Sequence, residues 1–131
     1  ARKLISPAGL DRIHAIMKAA ITSGGGKITD IFFCPHLPNE GCDCRKPAPG
    51  LLLQAQLKYN IDLPSSIMVG DSAKDIECAR NAGCGQAVLV KSGKDDAAED
   101  ILKAKQIDAD YTAKDLFEAA NWILANSPLP N

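Results

Sequence analysis

The sequence predicts an α/β fold, a parallel sheet with helices on both faces, and three observations carry that reading. Short apolar segments of strand length alternate with amphipathic segments of helix length. The segment Ala87-Val88-Leu89-Val90 is continuously apolar, the pattern of a strand covered on both sides. The residues that carry chemistry gather just after the strand-like segments, where open α/β sheets bind their ligands. A chain of 131 residues, 46% hydrophobic and 24% charged, is long enough for one core, and residues 1-131 read as a single domain. Its net charge of -1 gives no electrostatic reason to expect nucleic acid or an anionic membrane as partner, and leaves a local anionic ligand open. No apolar run approaches transmembrane length and the amino end lacks the apolar core of a secretion signal, so the expected address is the cytoplasm. Five cysteines, an odd number, fit a reducing compartment better than a disulfide framework.

Ser6-Pro7 is a helix start, a capping side chain followed by the imino acid at the first helical position. Leu10, Ile13, Met17 and Ile21 then recur at helical spacing, which predicts a helix from Pro7 to Thr22. His14 lies beside that stripe and reads as a surface or boundary histidine. Gly24-Gly25-Gly26 ends the helix. The β-branched and aromatic residues of Lys27-Ile28-Thr29-Asp30-Ile31-Phe32-Phe33 then predict a first strand. The glycine triplet is no phosphate loop, because such a loop follows a strand and opens a helix, and this one does the reverse. Further on, Pro47-Ala48-Pro49-Gly50 forms a stiff connection into a helix over 51–59 with apolar residues at 53 and 57, and Asn60 stops it. Ser66-Ile67-Met68-Val69 is a short strand ending at Gly70-Asp71-Ser72. A helix over 73–82 follows, closed by Gly83. After the strand at 87–90 come an acidic-led helix over 95–105, a minimal strand at Asp110-Tyr111, and a closing helix from Thr112 to Asn126 carrying Leu116, Trp122 and Ile123.

The window from Cys34 to Lys46 is the densest in chemistry. Cys34, His36, Cys42 and Cys44 are spaced as Cys-x-His, five residues, Cys-x-Cys, and the spacer contains Pro38, Asn39 and Gly41, which favour a sharp reversal. Three thiolates and an imidazole complete a tetrahedral zinc shell with no open position, so this zinc is structural and holds a loop over 34-46. The competing reading is unconnected core thiols or a disulfide pair. The polar residues between the ligands leave no apolar face for the former, and Cys-x-Cys strains the latter. Cys78 and Cys84 stand apart and read as small buried apolar residues.

Arg45 and Lys46 follow the last ligand directly, and Asp71 stands at a strand end. A carboxylate there can hold Mg²⁺ while adjacent cations neutralise a phosphoryl group. On their own residues the alternatives stay open: a solvated cationic turn for Arg45 and Lys46, a helix cap for Asp71, a dipole-complementing first-turn residue for Asp75, and a simple loop for Lys91-Ser92-Gly93-Lys94. Taken jointly, Arg45-Lys46-Pro47 and Gly70-Asp71-Ser72-Ala73-Lys74-Asp75 resemble the third and fourth motifs of the haloacid dehalogenase superfamily of phosphatases. Phe33 to Gly50 with Val88 to Lys94 is similar, more narrowly, to the heptose 1,7-bisphosphate phosphatase family within it.

The resemblance implies a Rossmann-like fold and a phosphoric monoester hydrolase that removes the phosphate on carbon 7 of a small phosphorylated sugar, on the route to the nucleotide-activated heptose of bacterial lipopolysaccharide. It implies that Lys46 stabilises the attacked phosphoryl group, Arg45 recognises substrate, Ser72 lies in contact distance of it, and Asp71 binds a catalytic Mg²⁺. The superfamily's Asp-x-Asp strand and the Ser or Thr of its second motif have no counterpart ahead of Ala1-Arg2-Lys3-Leu4. The expectation is a sheet incomplete at its amino end, open to self-association, and a chain that is inactive by itself because covalent catalysis needs a carboxylate in line with phosphorus. The one Asp-x-Asp, Asp108-Ala109-Asp110, is misplaced near the carboxyl end. A histidinol-phosphate phosphatase, or a non-catalytic zinc-stabilised binding module, are the alternative functions.

Overall fold

The structure, a computed structural model, describes residues 5–126. The chain divides into two compact units, Ala1–Cys42 and Asp43–Asn131. Ala1-Arg2-Lys3-Leu4, the segment that the resemblance puts just after the family's second motif, lie outside the described residues.

In the first unit, helix α1 runs Pro7–Ser23, with the Ser6 hydroxyl accepting the Gly9 N–H at 3.0 Å as its cap. The Gly24 N–H closes the last turn on the carbonyls of Ala20 and Ile21, and the Gly25 N–H on that of Thr22. The apolar stripe is present, yet no residue of α1 is fully buried and Ile13 is half exposed. The half-buried positions are Gly9, Leu10 and His14, and the His14 ring sits 6.0 Å from that of Phe33. The strand expected over 28–33 is not formed. A strand exists through ladder bonds to a neighbour, and the sheet ladders of the described residues join 67–70, 86–90 and 111–113 without this segment. The side chain of Asp30 instead accepts the Ile31 N–H at 2.7 Å, a local bond that competes with a ladder.

The second unit is a parallel three-stranded sheet with helices on both faces. Its elements are α2 (Gly50–Tyr59), a 3₁₀ turn (Leu63–Ser65), β1 (Ile67–Gly70), α3 (Ala73–Ala82), β2 (Gln86–Val90), α4 (Ala98–Ala104), β3 (Tyr111–Ala113) and α5 (Leu116–Asn126). Strand order is β1-β2-β3, with Met68 opposite Ala87 and Leu89 opposite Thr112. Side chains of β2 alternate between two cores, as the two-residue period of a strand requires. Ala87 and Leu89 pack with Ile76 and Ala79 of α3 and Leu102 of α4. Val88 and Val90 pack with Ala113 of β3 and Ala119, Trp122 and Ile123 of α5. Burial of each large aliphatic side chain contributes about 2 kcal/mol, so β2, covered on both sides, anchors the sheet.

Helix α2 ends as predicted, with Asn60 left-handed at φ 52. Its packed face differs from expectation: Leu52 meets the core, whereas Leu53 and Leu57 are exposed, Leu57 to 87%. Four apolar or near-apolar residues in a row leave the helical phase undetermined in sequence. Helix α3 stops at Gly83, whose φ of 85 lies where a Cβ is penalised.

Candidate active site

Three short segments of the second unit meet at the carboxyl end of β1: the turn after β1, the first turn of α3, and the residues that follow Arg45. Ser72 caps α3 in a reciprocal capping box. Its hydroxyl accepts the Asp75 N–H at 3.3 Å, and the Asp75 carboxylate reaches back to the Ser72 N–H at 3.1 Å. The same carboxylate oxygen also accepts the Asp71 N–H and the Ser72 hydroxyl, each at 3.1 Å. The other oxygen of Asp75 receives the Lys46 ammonium as a hydrogen-bonded ion pair. Asp75 is 2% exposed, the one buried charged side chain among the described residues, while the Lys46 side chain is about half exposed. Burial alone would raise the Asp75 carboxyl, but the hydrogen bond and charge of Lys46, together with the Ser72 bonds, outweigh it and hold the acid below its usual range. Asp75 is therefore an anion at neutral pH, and it fixes the reach of a long cationic side chain.

Asp71 is exposed at the mouth of this turn. The loop after β2 closes against it: a Cβ on Gly93 would fall 2.0 Å from Asp71 Oδ2, so only glycine permits this approach. Gly70 is subject to the same constraint from the other side, since its Cβ would meet the Asp75 carboxylate at 2.5 Å. Within the loop after β2, Lys91 pairs with Glu99 at 2.9 Å, and Asp95 accepts the Ala73 N–H at 3.4 Å at the start of α3. Arg45 is half-buried and its carbonyl accepts the Ala48 N–H at 3.0 Å in the turn that carries Lys46.

The predicted zinc ligands do converge. The ligand atoms of Cys34, His36, Cys42 and Cys44 all lie within 4.8 Å of one another. Cys34 Sγ is 3.5 Å from Cys42 Sγ and 3.6 Å from His36 Nδ1. Zinc–sulfur bonds of about 2.3 Å place tetrahedral ligands about 3.8 Å apart, so the set fits a zinc ion, and a 3.5 Å sulfur separation is far beyond a disulfide. The reversal between the ligand pairs is a turn in which the Glu40 N–H bonds the Leu37 carbonyl at 3.1 Å and the Glu40 carboxylate accepts the Leu37 N–H at 2.6 Å. Gly41 takes the left-handed conformation, φ 66, that lets the chain return.

The Asp108-Ala109-Asp110 motif lies at the opposite edge. Asp110 precedes β3; its N–H donates to the Ala87 carbonyl at 2.8 Å at the amino ends of the strands, and its carboxylate accepts the Ala87 N–H at 2.7 Å and the Arg80 guanidinium at 2.9 Å. It braces the sheet far from the carboxyl-end turn. Among the described residues no helix is long and apolar enough to cross a membrane.

Sequence reading missed Asp75 as the partner of Lys46. The Ser-x-x-Asp spacing at 72–75 announces the capping box, but a contact 29 residues away leaves no local trace. It also missed the Gly93 approach to Asp71.

A protein-family model described as HAD-hydrolase-like matches residues 43–119. The D-glycero-beta-D-manno-heptose-1,7-bisphosphate 7-phosphatase of Pseudomonas aeruginosa is 46% identical over 94 residues, covering 72% of this chain and 52% of that protein. The D-glycero-D-manno-heptose-1,7-bisphosphate 7-phosphatase of Thermosynechococcus vestitus is 35% identical over 128 residues, covering 87% of this chain and 65% of its own. The crystal structure of D,D-heptose 1,7-bisphosphate phosphatase from B. bronchiseptica, complexed with magnesium and phosphate, superposes with a TM-score of 0.83 at 35% identity, covering 96% of this chain and 69% of that one. The chain thus spans about half the length of several curated relatives that it matches.

Proposed function

Since the chain belongs to the HAD-hydrolase-like family, we propose that it supplies the phosphoryl-binding half of a phosphatase that removes the phosphate on carbon 7 of heptose 1,7-bisphosphate. The observation that carries this reading is the Lys46 ammonium held by buried Asp75 beside Asp71 at the carboxyl end of β1. A cation whose reach is fixed before substrate arrives stabilises charge that develops on phosphoryl oxygens without reorganising. In this reading Arg45, the preceding residue, selects substrate through a second cationic contact. Ser72 has its hydroxyl engaged with Asp75 as both donor and acceptor, so its contact with substrate falls to a remaining lone pair. The exposed Asp71 carboxylate offers the hard oxygen donor that suits Mg²⁺, and when bound that ion neutralises phosphoryl charge and orients the group for in-line attack. Cys34, His36, Cys42 and Cys44 hold a structural zinc in this reading. The magnesium and phosphate named with the B. bronchiseptica structure and the names of the relatives support it.

In this reading Asp71, the exposed carboxylate of the site, is committed to Mg²⁺ rather than to attack on phosphorus. Asp75 is bound on both oxygens and Asp110 is on the wrong edge, so the nucleophile comes from outside these residues. The test is phosphate release from heptose 1,7-bisphosphate and from histidinol phosphate, with Mg²⁺, by the full-length gene product and by the 131 residues alone. The expected result is release from the heptose substrate by the full-length protein and none by the chain alone. Preference for histidinol phosphate would reassign the substrate, and robust release by the 131 residues would show that a carboxylate set aside above is the nucleophile.

A further inference from the structure

We infer that Asn81 and Cys78 of α3 are positioning residues for Lys46, acting through the backbone that carries it; the inference rests on the phosphoryl-binding role given to Lys46 above. An ammonium on a flexible four-carbon stem can reach one carboxylate from many backbone positions, so the pairing with Asp75 does not by itself place Lys46. The two residues after it are held separately. The Pro47 carbonyl accepts a hydrogen bond from Asn81 Nδ2 at 3.0 Å, and the Ala48 carbonyl accepts one from Cys78 Sγ at 3.4 Å. Asp75, Cys78 and Asn81 are spaced by three, so they lie on one face of α3 over successive turns. That face therefore grips the 46–48 segment at the Lys46 side chain and at two consecutive carbonyls.

Neither side chain has a duty within its own helix. The α3 terminus is closed at Gly83, where the Gly83 N–H bonds the Arg80 carbonyl and the Cys84 N–H the Ala79 carbonyl, so Asn81 is not needed as a cap. Cys78 is 2% exposed and stands outside the candidate metal-ligand group found among the described residues, Cys34, His36, Cys42 and Cys44. Burial, reinforced by the nearby Asp75 and Cys84 and opposed by Lys46, pushes its thiol above the ordinary range, so it keeps the proton that it donates. Prolines at 47 and 49 contribute no N–H of their own, which leaves the carbonyls as the handles by which α3 can hold this segment.

The full-length protein carrying Asn81→Asp, Asn81→Gln, Cys78→Ala or Cys78→Ser tests this with two readouts. Steady-state kinetics on the phosphorylated substrate separates kcat from KM, and ¹⁵N NMR of the lysine ammonium groups follows the Lys46–Asp75 pair without any turnover. Asn81→Asp, which removes the donor and sets a carboxylate on a carbonyl, is expected to lower kcat about tenfold with KM nearly unchanged, because a displaced catalytic group costs rate steeply with distance. It should also move the Lys46 resonance toward that of a solvated lysine. Asn81→Gln keeps an amide donor and should recover part of the loss, and Cys78→Ser should recover most of what Cys78→Ala loses. An unmoved Lys46 resonance in Asn81→Asp, or a fall in kcat that follows thermal stability alone, would overturn the inference and leave Asn81 as a structural staple. If the wild-type protein releases phosphate from neither substrate, the functional reading falls, and the resonance alone decides whether α3 positions Lys46.

Discussion

Asp75→Ala removes one buried carboxylate on which two segments depend, and the cost can be worked from its partners. Two backbone N–H groups, those of Asp71 and Ser72, lose their acceptor at 3.1 Å. Each orphaned, partly buried donor costs about 1 kcal/mol, the low end of the usual range because water can reach this turn. Loss of the anion in the first turn of α3 and of the acceptor of the Ser72 hydroxyl costs about 1 kcal/mol more. The Lys46 contribution is about 0.5 kcal/mol, since an ammonium that is nearly half exposed rehydrates when its partner goes. The sum is about 3–4 kcal/mol, a large share of the stability of a small domain. Lys46→Ala should cost only about 1 kcal/mol, because the Asp75 carboxylate keeps its three donors at the β1–α3 turn. Urea unfolding of both single variants and the double variant, followed by circular dichroism, gives each value and their coupling. If Asp75→Ala costs no more than Lys46→Ala, the carboxylate is not organising the turn and the network described here is wrong.

Other outcomes follow from the same geometry. The protein purified without chelator is expected to carry about one zinc per chain, and Cys42→Ser should lower both zinc content and stability; metal-free protein by elemental analysis would reject the ligand set. Gly93→Ala forces a methyl group into the Asp71 carboxylate and should raise the Mg²⁺ concentration needed for half-maximal turnover about tenfold, read from a magnesium titration. Because the folded pKa of Asp75 lies below its unfolded value, near 3.9, its stabilising effect is complete above about pH 5 and is lost as pH falls through the folded value. The stability gap between wild type and Asp75→Asn should therefore shrink on acidification; a gap constant from about pH 6 to pH 3 would contradict the depressed carboxyl.

What the sequence disclosed was local. Ser6-Pro7, Asn60, Gly83 and the apolar run 87–90 each act through their immediate neighbours, and each element they mark is present within a residue or two. The four zinc ligands were also legible, because eleven residues of loop carry the whole set. What stayed hidden depends on distant partners. The 28–33 segment has strand composition but joins none of the sheet ladders formed by the described residues, and the side on which α2 packs is decided by where the sheet lies. The pairing of Lys46 with Asp75, and the bonds from Cys78 and Asn81 to the turn after Lys46, span 29 to 34 residues of sequence. Asp71 and Asp75 were both visible as acids near a strand end, yet only the three-dimensional turn separates the exposed one from the buried one.

The dual use of Asp75 bears on how such a site can diversify. A carboxylate that starts a helix and also aims a lysine cannot be exchanged for a new substrate's sake without unfolding the turn it holds. Gly70 and Gly93 are fixed for a related reason, since any side chain there collides with Asp75 or Asp71. Heritable variation in what the site accepts is thereby channelled to positions that carry no such double duty, Arg45 and the exposed residues Ser92 and Lys94 of the loop after β2. Relatives that share the turn but act on different phosphate esters should differ first at those positions, with the frame around Asp75 left unaltered.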